Sequence, residues 1–114
     1  MIAVIFEVRP KPEHKSGYLE LAAGLKEELE GVDGFLSVER FQSITDPEKL
    51  LSLSFWRDED ALADWRSRTH HRAAQTTGRG RYFADYRLRV AGVMRDYGME
   101  ERDEAPADSR ALHD

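Results

Sequence analysis

The chain has 114 residues, 40% of them hydrophobic and 34% charged, with a formal net charge of −5 and no cysteine. A chain of this length holds one core, and a domain so small exposes much of its surface and gains stability by pairing. The acidic balance argues against phosphate backbones as partners, the missing cysteines exclude disulfides and thiolate metal sites, and no apolar run approaches the roughly 20 residues needed to span a bilayer.

Nothing at Met1–Pro10 combines a basic start with a cleavage site, so a cytoplasmic location is expected. Ile2–Arg9 reads as a strand with apolar side chains on both faces, Ile2, Val4, Phe6 and Val8 on one and Ala3 and Ile5 on the other. Such a strand is covered on two sides. Pro10 and Pro12 end it. Tyr18, Leu21, Ala22, Leu25, Leu29 and Val32 then recur at helical spacing, with Lys26, Glu27, Glu28 and Glu30 mostly on the other side. Gly31 and Gly34 frame the end of this helix, and Phe35–Ile44 reads as the second strand. Thr45-Asp46-Pro47-Glu48 supplies a hairpin turn into a third strand, Leu50–Trp56.

Asp58 is placed to cap a second helix that runs to about Gln75, with Ala61, Leu62, Trp65, Thr69 and Ala73 inward and a possible break near Arg66–Thr69. Gly78 and Gly80 precede a last strand, Asp85–Tyr97, whose alternation separates Tyr86, Leu88, Val90 and Met94 from Arg87, Arg89, Ala91, Val93, Arg95 and Tyr97. The folded domain is therefore residues 1–98. Residues 99–114 are too polar to fold alone and read as a disordered tail or an arm over a partner.

The order β-α-β-β-α-β predicts an α+β, ferredoxin-like fold, a four-stranded antiparallel sheet with both helices on one face. Ala3, Ile5, Val38, Ala91 and Val93 then need cover on the other face. A second copy packed sheet to sheet is the simplest cover, giving a homodimeric α+β barrel. RNA-recognition domains share the topology, but Leu50-Leu-Ser-Leu-Ser-Phe-Trp56 lacks the basic-Gly-aromatic cluster they need, so no nucleic-acid partner is expected. G-x-G-x-x-G, P-loop and G-x-S-x-G motifs are absent, and Glu7 and Glu39 form no evident carboxylate pair.

Three features together resemble the antibiotic biosynthesis monooxygenase family over roughly Ile2 to Tyr97. They are the hydrophobic opening strand, Val32-Asp33-Gly34-Phe35-Leu36 entering the second strand, and the stretch from Trp56 to His70. Asp33 stands where the family's Pro-Gly-Phe turn has proline. Relatives carry an aromatic at the end of the third strand, here Trp56, then an acidic helix start, then two histidines five positions apart. Trp65 replaces the first of these and His70 keeps the second.

The resemblance implies oxygenation of an electron-rich phenol, anthrone or quinol without metal or flavin, the substrate's own carbanion reducing oxygen. This chemistry needs a dry pocket, a group that takes the substrate's proton and an orienting donor. His70 and Trp65 are the candidate catalytic residues. Phe6, Trp56, Trp65, Arg72 and Tyr86 are the candidate substrate-binding residues for a small hydrophobic aromatic ligand. Trp65 reads equally well as a core tryptophan, and for His70 a surface or interface position is favoured over acid-base work.

A related branch degrades haem through an asparagine, a tryptophan and an iron-binding histidine. Those positions look like Phe6, Trp65 and Gln75, and glutamine is a poor haem ligand, so no cofactor is expected, and haem handling stands as a disfavoured alternative behind a non-catalytic ligand-binding or stress-related barrel. His70 and His71 point about 100° apart on a helix and cannot chelate one metal together. The late arginines, Arg57 to Arg95, either draw an anionic substrate to the pocket mouth or, the favoured reading, pair with Glu27, Glu28, Asp58 and Asp64 on a solvated surface and across the dimer.

Overall fold

β-branched and aromatic residues on both faces suit an inner strand, and β1 (Ile2–Pro10) lies inside the sheet, antiparallel to β3 (Leu50–Trp56) and to β4 (Phe83–Gly92). β2 (Phe35–Gln42) completes a four-stranded sheet of order β2-β3-β1-β4. A computed structural model describes residues 1–75 and 82–114, the side chains of 69–75 excepted. With α1 (Lys15–Glu30) after β1 and α2 (Glu59–Gln75) after β3, this is the ferredoxin-like α+β fold that the periodicity predicts.

The helices cover the face that carries Ile2, Val4, Phe6 and Val8. Where they meet, Leu29 at the end of α1, the following Val32 and Ala61 of α2 close over Val4 and Trp56, with Ile2, Phe35, Val38, Leu62 and Trp65 packed around them. Toward the start of α1, Tyr18 closes over Val8 and Leu50, with Phe6 and Phe83 at its edge. Tyr18, Ala22 and Leu29 are the buried positions of α1, spaced as one stripe of a helix.

The connection between these layers depends on Gly34. Its φ of +90° is the left-handed conformation that favours glycine, and a Cβ there would lie 2.6 Å from the Cβ of Ala61. Arg57 closes the same corner. Its backbone N–H donates to the Gly34 carbonyl at 2.7 Å, and its guanidinium reaches Asp33 at 3.2 Å and Asp58 at 3.1 Å. Asp58 in turn caps α2, accepting the Ala61 N–H at 2.9 Å. That backbone bond, then the Arg57 guanidinium, holds the Asp58 carboxyl below its usual range.

Three boundaries differ from the sequence reading. β2 stops at Gln42 because Ser43 already belongs to the hairpin, its N–H bonded to the Lys49 carbonyl at 3.0 Å. α2 runs unbroken from Glu59 to Gln75, without the break anticipated near Arg66–Thr69. β4 begins at Phe83 and ends at Gly92, since its partner β1 runs out at Met1, whose carbonyl takes the Val93 N–H at 3.0 Å.

In the polar segment after Gly98 the structure has a short helix, α3 (Ala107–His113). Arg102 ties it back, reaching Asp114 at 2.8 Å, Ser109 at 2.8 Å and the Gly98 carbonyl at 3.1 Å. Charge-assisted bonds radiating from one arginine organise a stretch that has little apolar surface to bury. Among the described residues no helix is long and apolar enough to cross a membrane.

Candidate active site

Strand register decides which side chains share the helix-side face. Three cross-strand rows matter: Val38-Ser54-Val4-Val90, Arg40-Ser52-Phe6-Leu88 and Gln42-Leu50-Val8-Tyr86. The helices cover these rows unequally. Val8 and Val4 are buried, yet on the outer strand β4 Tyr86 is 60% exposed, Leu88 53% and Val90 46%. An apolar strip along β4 therefore lies open on the side where the helices sit.

Aromatic rings border this strip. Phe6 stands edge-on to Phe83 at 5.8 Å and tilted to Tyr86 at 5.8 Å, and Phe83 meets the Tyr18 ring edge-on at 5.5 Å. Such edge and tilted contacts fix the ring positions. At the other end Trp65 is half-buried on α2, its ring 6.4 Å from Trp56 and packed against the cluster that contains Val4, the cross-strand neighbour of Val90.

The candidates from sequence thus separate into groups. Phe6 and Tyr86 touch, and Trp65 sits farther along the same face. Trp56 is only 1% exposed, its indole N–H donates to Ser54 Oγ at 3.0 Å, and its ring packs edge-on to Phe35 at 5.3 Å. It is a core residue beneath Trp65, with no surface to offer a ligand. The side chains of His70 and Arg72 lie outside the described residues, as does that of Gln75.

Two participants escaped the sequence reading. Phe83 was missed because it precedes the strand as expected from sequence. Val38, expected from sequence on the face away from the helices, packs instead into the helix-side cluster, because the bulge between Phe35 and Ser37 shifts the alternation of β2, and Arg40 follows it inward. It extends beneath α1 to Tyr18, whose phenol is raised above its ordinary pKa by burial and pulled back by the neighbouring guanidinium.

Among the described residues no three His, Asp or Glu side chains converge as a metal site requires. The opposite face of the sheet is different in kind. There Glu7 accepts from Lys49 at 3.4 Å and Arg89 at 3.5 Å, and Arg9 pairs with Asp46. A groove of about 110 Å³ lined by Glu7, Val8, Arg9, Lys49, Asp85, Tyr86 and Arg87 is mostly charged and a poor seat for an apolar ligand, although the candidate Tyr86 borders it.

Comparisons with known proteins agree with this architecture. The antibiotic biosynthesis monooxygenase family model matches residues 1–77. A jasmonate monooxygenase from Pyricularia oryzae is 47% identical over 93 residues, which are 82% of this chain and 43% of the relative. The chain therefore spans less than half the length of that enzyme. The uncharacterised protein YqjZ of Bacillus subtilis is 34% identical over 99 residues, 87% of this chain and 84% of its own. Among solved structures, Rv0793 from Mycobacterium tuberculosis superposes with a TM-score of 0.73 at 19% identity, covering 85% of this chain and 98% of its own. PA3566 from Pseudomonas aeruginosa gives 0.67 at 17% identity, covering 82% and 93%. The structural likenesses speak for the fold alone. Matched over residues 1–77, the chain belongs to the antibiotic biosynthesis monooxygenase family.

Proposed function

We propose that this chain is a monooxygenase domain that holds a small, largely apolar ring compound between helices and sheet. It oxygenates that compound with molecular oxygen, without metal or flavin, as a cytoplasmic homodimer. In a chain of this family, the observation that carries the reading is the open apolar strip Tyr86-Leu88-Val90, bordered by Phe6. A strip of this kind on the helix-side face, in a family described by monooxygenase activity, supports a seat for an apolar substrate there.

A phenol, anthrone or quinol supplies its own electrons. For an activated methylene carbon, a base removes the C–H proton and the carbanion reduces oxygen and forms the C–O bond. Loss of water from the resulting hydroperoxide leaves a carbonyl. One oxygen atom enters the product and the other leaves as water, with no external reductant. In this assignment His70 accepts the proton, Trp65 and Phe6 wall the ring, and Tyr86 and Arg72 orient the substrate oxygen. The similarity to a jasmonate monooxygenase supports a second substrate class, a non-aromatic ring compound bearing a carboxylate.

The test compares Trp65→Ala and His70→Ala with the unaltered protein, after circular dichroism has shown each to be folded. Each variant is expected to lower oxygen uptake with a reactive anthrone by about tenfold or more, since a positioned proton acceptor contributes about 10² or greater. Unchanged rates in both would exclude this site. Ligand binding without oxygen uptake in the unaltered protein would make the domain a ligand-binding barrel, because fold alone does not fix function.

A further inference from the structure

Every arginine ion pair among the described residues is made at the surface or in the C-terminal segment, by Arg9, Arg57, Arg68, Arg89, Arg102 and Arg110. Arg40 is unlike them. It points from β2 into the helix-side face, its Nε is buried, and no group accepts a hydrogen bond from that atom. It is the one side-chain atom of this kind among the described residues. A guanidinium cannot shed its proton, so a buried N–H without an acceptor is a standing cost that an anion would remove. Its polar neighbour is Tyr18, a hydroxyl that can donate to the same anion.

Register supplies the direction. Arg40, Ser52, Phe6 and Leu88 form one straight row across all four strands, cationic at β2, small and hydroxylic at β3, apolar at β1 and open at β4. At about 4.8 Å between strands the row spans roughly 14 Å, the length of a small ring compound with a short side arm. Ser52, between Arg40 and Phe6 in the row, adds a hydroxyl on a short side chain.

We propose that Arg40, flanked by the Tyr18 and Ser52 hydroxyls, is an anion subsite of the binding pocket, and that the substrate carries a carboxylate at one end of an apolar body. A single guanidinium with two hydroxyls matches a monoanion and offers too few donors for a phosphate dianion. Arg40 is a binding and specificity residue here, with no part in the chemical step. The inference rests on the ligand pocket proposed above and names the class of molecule that fills it.

The test measures binding of two acid and ester pairs, jasmonic acid with its methyl ester and 1-naphthoic acid with its methyl ester, by titration calorimetry at neutral pH. Each pair shares an apolar body and differs in charge. The acid of at least one pair is expected to bind about tenfold more tightly than its ester, the worth of one charge-assisted hydrogen bond. Arg40→Gln is expected to abolish that preference. Equal affinities for acid and ester in the unaltered protein would overturn the subsite while the pocket stands, a result that does not depend on how the variant folds. Absence of binding by all four compounds would overturn the pocket and the subsite with it.

Discussion

Tyr18 shows how one residue serves both packing and recognition. It is 6% exposed, closes the second core cluster over Val8 and Leu50, and presents its hydroxyl to Arg40. Burial raises its pKa, so the neutral phenol is favoured in the folded state. The stability this provides is complete below the unfolded value of about 10 and is lost as pH rises through the folded value. Chemical denaturation midpoints are therefore expected to fall above about pH 10 in the unaltered protein, and to fall less steeply in Tyr18→Phe. Identical alkaline profiles would show that the phenol is not held neutral by the fold. Phe6, Trp65 and Tyr86 are legible in the sequence as helix-side residues because strand and helix periods assign them there. Arg40 is not, because a charged residue in an alternating strand ordinarily marks the solvated side, and only the register with Ser52 turns it inward.

At the scale of the elements, Gly34 joins the family's sequence signature to its geometry. The turn at its left-handed φ brings the start of β2 against Ala61 near the start of α2, while Arg57 and Asp58 tie the turn to the helix cap. Gly34→Ala is expected to lower folding stability by about 2 kcal/mol or more, combining backbone strain with a clash that neither Ala61 nor the helix can relieve. Urea unfolding with an unchanged midpoint would contradict this account of the corner. Elements whose signals are local, such as β1, the α1 stripe, β3 and the Asp58 cap, are readable from the chain. The limits of β2 and β4 are less so, because a strand ends where its partner or turn ends. In the last segment composition registers polarity, whereas the shape comes from the bonds Arg102 makes to Gly98, Ser109 and Asp114.

For the whole molecule, the sheet's second face is the one the helices leave uncovered. Ile5, Leu51, Leu53 and Phe55 are half-exposed there, and Leu36 and Phe41 more so. A second copy packed on this face is expected to give a solution mass twice the 13.1 kDa of the chain by light scattering. Leu53→Asp puts a carboxylate on the face that each copy would bury and is expected to yield monomers. A monomeric unaltered protein at micromolar concentration would contradict the barrel arrangement. The helix-side strip along β4 remains available in such a dimer, so pairing and substrate binding use opposite faces of one sheet.

Oxygen consumption by metal-stripped, cofactor-free protein tests the central claim most directly, measured against a panel of hydroquinones, naphthols and anthrones with denatured protein as the control for autoxidation. Uptake that saturates with substrate and disappears on denaturation is the predicted result. Uptake no faster than the denatured control across the panel, from protein that binds these compounds, would contradict cofactor-independent oxygenation and leave a domain that binds such molecules without transforming them.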